Sequence, residues 1–183
     1  MKNKFLLIAL VVLVPIVVVG IVAFIILRMS ANMSASELAM AGEYATSSTT
    51  PVGFLPFSNQ QYHFSLYYPP DLVSTGQQEQ GGAYTFSFQD ADTNEGFEIY
   101  VTPYGDSQVS AARFKLDEPS GKMDQPTPVV IDGATATMFF GHNDVMGDTR
   151  EVWFIKNGYL YEVTSFKELD SWLGTIMQTW RFI

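Results

Sequence analysis

The sequence predicts an α+β protein: an N-terminal transmembrane helix followed by an antiparallel β-sheet of about six to seven strands flanked by helices. Three observations predict it. Residues 5–27 carry no charge. Several later stretches alternate apolar and polar residues with a period of two, as half-buried strands do. The last segment carries Leu169, Trp172, Leu173, Ile176, Met177 and Trp180 at helical spacing.

The apolar segment comes first. Twenty-three residues at 1.5 Å each give about 34 Å, enough to cross a hydrocarbon core of about 30 Å. Pro15 and Gly20 are both tolerated in membrane helices, with Pro15 predicting a kink. Lys2, Lys4 and the terminal amine precede the segment and only Arg28 follows it. The positive-inside rule therefore places the N-terminus in the cytoplasm and the rest outside, a single-pass protein of the cell membrane. The competing reading is a cleaved secretory signal, with cleavage near Ser30-Ala31 or Ser34-Ala35, although such signals have shorter apolar regions.

Three parts follow: a cytoplasmic tip and transmembrane helix over residues 1–28, a juxtamembrane extension and linker over 29–53, and an extracytoplasmic domain over 54–183. Met29, Met33, Met40 and Tyr44 fall at near-heptad offsets, so the membrane helix is expected to continue outward. Thr46-Ser47-Ser48-Thr49-Thr50-Pro51 has neither periodicity nor apolar content and reads as a flexible spacer.

The chain is 47% hydrophobic and 14% aromatic, enough for one packed core beyond the anchor. Beyond residue 28 there are 19 acids against 7 bases, a net of −12, a surface that repels nucleic acid and anionic lipid. The absence of cysteine excludes disulfides, thiolate metal sites, a cysteine nucleophile and a lipid on an N-terminal Cys, and points to a prokaryotic source.

Within the domain, residues 61–68 alternate, with Tyr62, Phe64, Leu66 and Tyr68 on one face, and stop at Pro69-Pro70. Residues 83–89 and then Phe97, Ile99 and Val101 predict an antiparallel hairpin. Asp106 is placed to cap a helix through Leu116 carrying Val109, Ala112 and Phe114, after which Pro119, Gly121, Pro126 and Pro128 predict a loop. Residues 129–131 meet 134–140 across Asp132-Gly133, and 151–155 meet 159–166 across Asn157-Gly158. Both dipeptides suit the positive backbone angles of a tight hairpin. Ser165 and Glu168 have the spacing of a capping box for the closing helix.

Several of these features together resemble the PsbP/Mog1-like domains over residues 54–183: the Tyr-rich strand ending in Pro69, the Ile131-Asp132-Gly133 turn, the hairpin over 153–161, and the helix running into Trp180-Arg181-Phe182. Members of that class serve as extrinsic photosystem subunits, as a binder of a small GTPase, and as exported or lipid-anchored bacterial proteins. The resemblance implies a non-catalytic binding module. It carries no functional residue over, because no family binding motif is matched. Lipid-anchored members need a Cys near the N-terminus; here the transmembrane segment would take that role.

Chemistry is sparse. His63 is expected to face solvent, and His142-Asn143-Asp144 to lie in a polar loop. Asp90, Asp92 and Asn94 have the one-three-five spacing of a calcium loop, but its glycine comes one place late at Gly96 and Val101 stands where the bidentate Glu belongs. A polar hairpin loop is the plain alternative. There is no phosphate-binding loop, paired zinc ligands or dinucleotide fingerprint, so no cofactor is expected.

The function these features point to is a membrane-tethered binding or assembly module, contacting the membrane through residues 5–27 and another protein through an exposed aromatic patch. Tyr67, Tyr100, Tyr104 and Trp153 are its candidates, because alternation puts them opposite the core-facing residues. One alternative is a pilin-like subunit: residues 5–10 resemble a pilin start, although no Gly precedes Phe5 and Ala9 stands where a Glu is needed. Another is a hydrolase or metal-dependent enzyme, which requires a concave pocket where a His, His63 or His142, converges with carboxylates.

Overall fold

The computed structural model describes residues 50–183, apart from 94 and 119. The expected membrane span, the juxtamembrane helix and most of the spacer lie outside the described residues. Among those described, no helix is long and apolar enough to cross a membrane.

The hairpins that alternation predicts form the centre of a seven-stranded sheet. Its strands are β3 (Val73–Gln78), β4 (Tyr84–Gln89), β5 (Gly96–Pro103), β6 (Asp124–Ile131), β7 (Ala134–Asn143), β8 (Gly147–Lys156) and β9 (Tyr159–Phe166), in the order β3-β4-β5-β9-β8-β7-β6. Every pairing is antiparallel. Asp132 and Gly133 (φ 43° and 77°) and Asn157 and Gly158 (φ 53° and 81°) supply the paired positive angles expected of two-residue hairpin turns.

A second sheet was not expected. β1 (Leu55–Asn59), β2 (Phe64–Tyr68) and the two-residue β10 (Arg181–Phe182) form a three-stranded sheet in the order β1-β2-β10. The large sheet has the seven strands at the upper end of the expected range, and the small sheet adds three more among the described residues. Residues 60–63 turn between β1 and β2, Asn59 Oδ1 accepting from the Tyr62 N–H at 2.9 Å, so the alternating stretch starts pairing only at Phe64. Chain ends and turns are tied together here, since Asp132 Oδ2 accepts the Phe182 N–H at 2.8 Å.

Three further expectations change. Pro126 and Pro128 lie inside β6 and not in a loop. The strand is the outermost of its sheet, where a missing N–H is tolerated, and a register shift between Asp124 and Thr127 breaks its ladder. The first helix, α1, spans Ala111–Asp117 and is capped by Ser110, whose Oγ accepts the Arg113 N–H at 3.1 Å; Asp106 precedes it in a bend. The capping box does not form, because Ser165 is still in β9 and donates its hydroxyl to the Gly96 carbonyl at 2.8 Å. A 3-10 turn, Lys167–Leu169, leads instead into α2 (Asp170–Met177).

The core lies between one face of the large sheet and a layer made of α2 and the small sheet. From the large sheet come Phe86, Phe88, Phe97, Ile99, Val152, Phe154, Tyr161 and Val163, and from the other layer Tyr62, Phe64, Leu66, Leu173, Ile176, Met177 and Trp180. Trp180 stacks on Phe64, with centroids 4.5 Å apart and planes 7° from parallel, and meets Phe154 and Tyr161 in near-perpendicular contacts. The buried Tyr161 hydroxyl donates to the Tyr62 carbonyl at 2.7 Å, a polar tie between the sheets that would be costly to leave unmade. At the start of α2, the buried Arg150 guanidinium lies 3.5 Å above the Phe140 ring. It bonds both oxygens of Asp170, at 2.7 and 2.8 Å, and so fixes where the helix begins.

Trp180→Ala should cost about 3–5 kcal/mol, the range for truncating a buried large aromatic, read as a lower denaturant midpoint. An exposed control, Val145→Ala, should leave the midpoint almost unmoved.

Candidate functional site

The sequence-predicted candidates distribute unevenly. Tyr67 lies on the outer side of the small sheet, half-buried, with its N–H bonded to Thr179 Oγ1 at 2.8 Å. The other three gather around α1. Tyr100, on β5, is half-buried with the Arg113 guanidinium 5.9 Å from its ring. Tyr104 donates to the Gln108 carbonyl and accepts from the N–H of Ser110, the residue that caps α1. Trp153 is buried, not exposed as expected. Alternation does put it on the face away from the core, but Phe114 of α1 covers it, the two ring centroids lying 5.4 Å apart.

The calcium-like spacing closes on itself. Asp90 Oδ1 accepts the N–H groups of Asp92 and Thr93, which hold its carboxyl below the usual range. Asn94 lies outside the described residues, and among those described no group of three or more His, Asp or Glu could hold a metal ion. The histidines stand at opposite ends of the β8–β9 ladder. His63 is exposed beside Tyr159, which pairs with Lys156, whereas His142 contacts Asp148 at 3.0 Å near the start of β8. His142 belongs to the end of β7 and not to a loop. The crevice between α2 and the large sheet, lined by Ile131, Met138, Val152, Leu173 and Met177, is too narrow to admit water.

The unusual chemistry is on the outer face of the large sheet. Glu151 on β8 and Glu162 on β9 alternate with the core residues Val152, Phe154, Tyr161 and Val163, so both point away from the core, yet both are buried. Glu118, at the end of α1, is buried as well. Asp117 adds a fourth carboxyl, and Arg113 is the one guanidinium at the cluster among the described residues. Arg113 Nε pairs with Asp117, while its Nη2 stands 4.0 Å from Glu162 Oε1, and both of those atoms are buried without a hydrogen-bond partner.

Glu151 is better held. Its Oε2 accepts from Thr164 Oγ1 at 2.7 Å and from the Trp153 indole N–H at 3.2 Å. Burial pushes its carboxyl up to about 7 against those bonds, and nearby Glu118 adds to the rise. Burial, reinforced by Asp117, pushes Glu162 up to about 10, with Arg113 pulling the other way. Gly141 on β7 makes the room. A Cβ there would lie 2.7 Å from a Glu118 carboxylate oxygen and 2.9 Å from Thr149 Oγ1.

The sequence does carry a signal for this cluster. Glu151 faces Thr164 across the ladder and Trp153 faces Glu162, so two acids and a tryptophan alternate on one face of adjacent strands. An acid in that position ordinarily reads as solvated.

No known protein family matches the chain, and no curated protein matches it. Among solved structures, the solution structure of cyanobacterial PsbP (CyanoP) from Synechocystis sp. PCC 6803 aligns with a TM-score of 0.51, covering 75% of this chain and 96% of that one. The fold is PsbP-like. At 12% identity the likeness concerns architecture, and it bears out the fold resemblance drawn from the strand, turn and tail features.

Two outcomes test the acidic face. Glu151 and Glu162 both have folded values raised above the ordinary 4.5. The stability they contribute is therefore complete below about pH 4.5 and is lost as pH rises through about 7 for Glu151 and about 10 for Glu162. Urea midpoints should fall along that range, and Glu162→Gln should flatten the upper part of the decline. Separately, Gly141→Ala should destabilise by about 1–3 kcal/mol in equilibrium unfolding, because the added methyl crowds Glu118 and Thr149.

Proposed function

We propose that this protein is a membrane-tethered, non-catalytic binding or assembly module. Residues 5–27 hold it in the cell membrane as a single pass, the N-terminus lies in the cytoplasm, and residues 54–183 stand outside. The observation that carries this reading is a pairing: a PsbP-like domain, covering 96% of the chain in the solved cyanobacterial structure, on a sequence that also has a 23-residue uncharged segment and a Thr/Ser spacer.

The class that the fold resembles works by holding partners. The spacer gives the domain reach, which raises the effective concentration of a tethered binder near its target. The net charge of −12 beyond residue 28 favours a protein partner with basic groups over nucleic acid or anionic lipid. Tyr67 on the small sheet and the residues around α1 are the surfaces proposed for it.

The test is fractionation and topology of the full-length chain in cells. The protein should stay in the membrane pellet through alkaline carbonate washing, and a C-terminal tag should be removed by protease added to intact cells. Deleting residues 1–28 should move it to the soluble fraction. A mature N-terminus beginning near residue 31 or 35 by intact mass, or a tag reached by protease only after lysis, would overturn the reading.

A further inference from the structure

The cover over the acidic face is slight. None of the seven residues of α1 is buried, and Leu116 on its outer side is 71% exposed. Between its two ends, ring and charge contacts from two side chains hold it to the sheet. Phe114 rests on Phe139 and Trp153, at centroid distances of 5.9 and 5.4 Å, and Arg113 reaches Asp117, Glu162 and the Tyr100 ring. Beneath lie Phe139, Trp153, Glu151 and Glu162, all buried.

The charges do not balance if every carboxyl is ionised. Facing Glu162 are Arg113 and Asp117 from α1, Tyr100 opposite it on β5, and Glu151 on β8. Facing Glu151 are Glu118 at the end of α1 and the hydroxyl of Thr164; the remaining acid of this side of β5, Glu98, is exposed and bonded to Ser87. Four carboxylates around one guanidinium would leave three uncompensated negative charges, most of them out of water, which a buried site does not tolerate. The one guanidinium is engaged by Asp117 through Nε, and its Nη2 stands 4.0 Å from Glu162 Oε1 without a hydrogen bond.

We infer that α1 is a proton-gated cover on the outer face of the large sheet, docked while Glu151 and Glu162 carry protons and lifted when they ionise, baring Phe139 and Trp153. Lifting costs the Phe114 packing and relieves the repulsion among Asp117, Glu118, Glu151 and Glu162. The opposite face, with Trp180 in the main core, is untouched, so opening is local and the fold persists. The raised values of the two glutamates place the transition above the ordinary carboxylate range. The device does not depend on where the protein resides or what it binds.

Trp153 is a built-in reporter, since its indole N–H bonds Glu151. The full-length chain, labelled with fluorotryptophan in detergent micelles, is titrated by fluorine NMR between about pH 5 and about pH 10, with signals assigned through Trp153→Phe and Trp172→Phe. Raising pH should move the Trp153 signal and increase its solvent isotope shift about two-fold or more, while Trp180 stays fixed. In Glu151→Gln/Glu162→Gln the response should vanish with Trp153 held in its low-pH position; if that double variant does not fold, Glu162→Gln alone should shift the midpoint upward. Phe114→Ala should lower the midpoint. An invariant Trp153 signal in the parent protein, a response retained in the glutamine variants, or Trp180 moving together with Trp153 would each overturn the proposal.

Discussion

The stack of Trp180 on Phe64 is the contact on which the rest of this structure depends. It joins the turn after the last helix to the middle strand of the small sheet, and perpendicular contacts with Phe154 and Tyr161 bring the large sheet to the same point. Three elements far apart in sequence thus share one buried aromatic centre. Burial of that much ring surface offsets the entropy of closing a loop of more than a hundred residues between β2 and β10. The bond from Tyr161 to the Tyr62 carbonyl then fixes how the sheets sit, because a buried hydroxyl and a buried carbonyl each need a partner.

That arrangement commits α2 and the small sheet to one face of the large sheet; on the other, among the described residues, lies one short helix. The asymmetry explains the contrast in chemistry. The inner face is apolar, and the Tyr161 hydroxyl within it is hydrogen-bonded. The outer face mixes Trp153 and Phe139 with glutamates that would be at ease in water and are denied it by α1. Burial at this site does not arise from the acids seeking the interior; it follows from Phe114 closing over the aromatic rings beside them.

Much of the fold was legible in the sequence, for reasons that differ by element. β4, β5 and β9 alternate cleanly because one face is core, and the Asp-Gly and Asn-Gly pairs announce turns that few other residues could form. β3 was not legible, since Val73 is its one large apolar residue, nor was β10, whose two residues are strand only because β2 offers them partners. β6 was misjudged for a sound local reason: prolines argue against a central strand, and only the strand order shows that this one is at an edge. Of the candidate site, the alternation correctly turned Tyr100 and Trp153 outward. What it could not convey is that α1 folds back over them, because Arg113 meets Glu162 and Phe114 meets Trp153 across more than thirty residues of sequence.

The prolines of β6 have a further bearing on how such molecules crowd. An open sheet can recruit foreign strands from either side, and a linear polymer of sheets requires both sides to be receptive. At β6, Pro126 and Pro128 withhold two donors and the register break bends the ladder, so that margin is a poor template. β3, at the opposite margin, has neither proline nor charge. Edge-to-edge pairing of two copies through the large sheet would therefore favour β3 over β6.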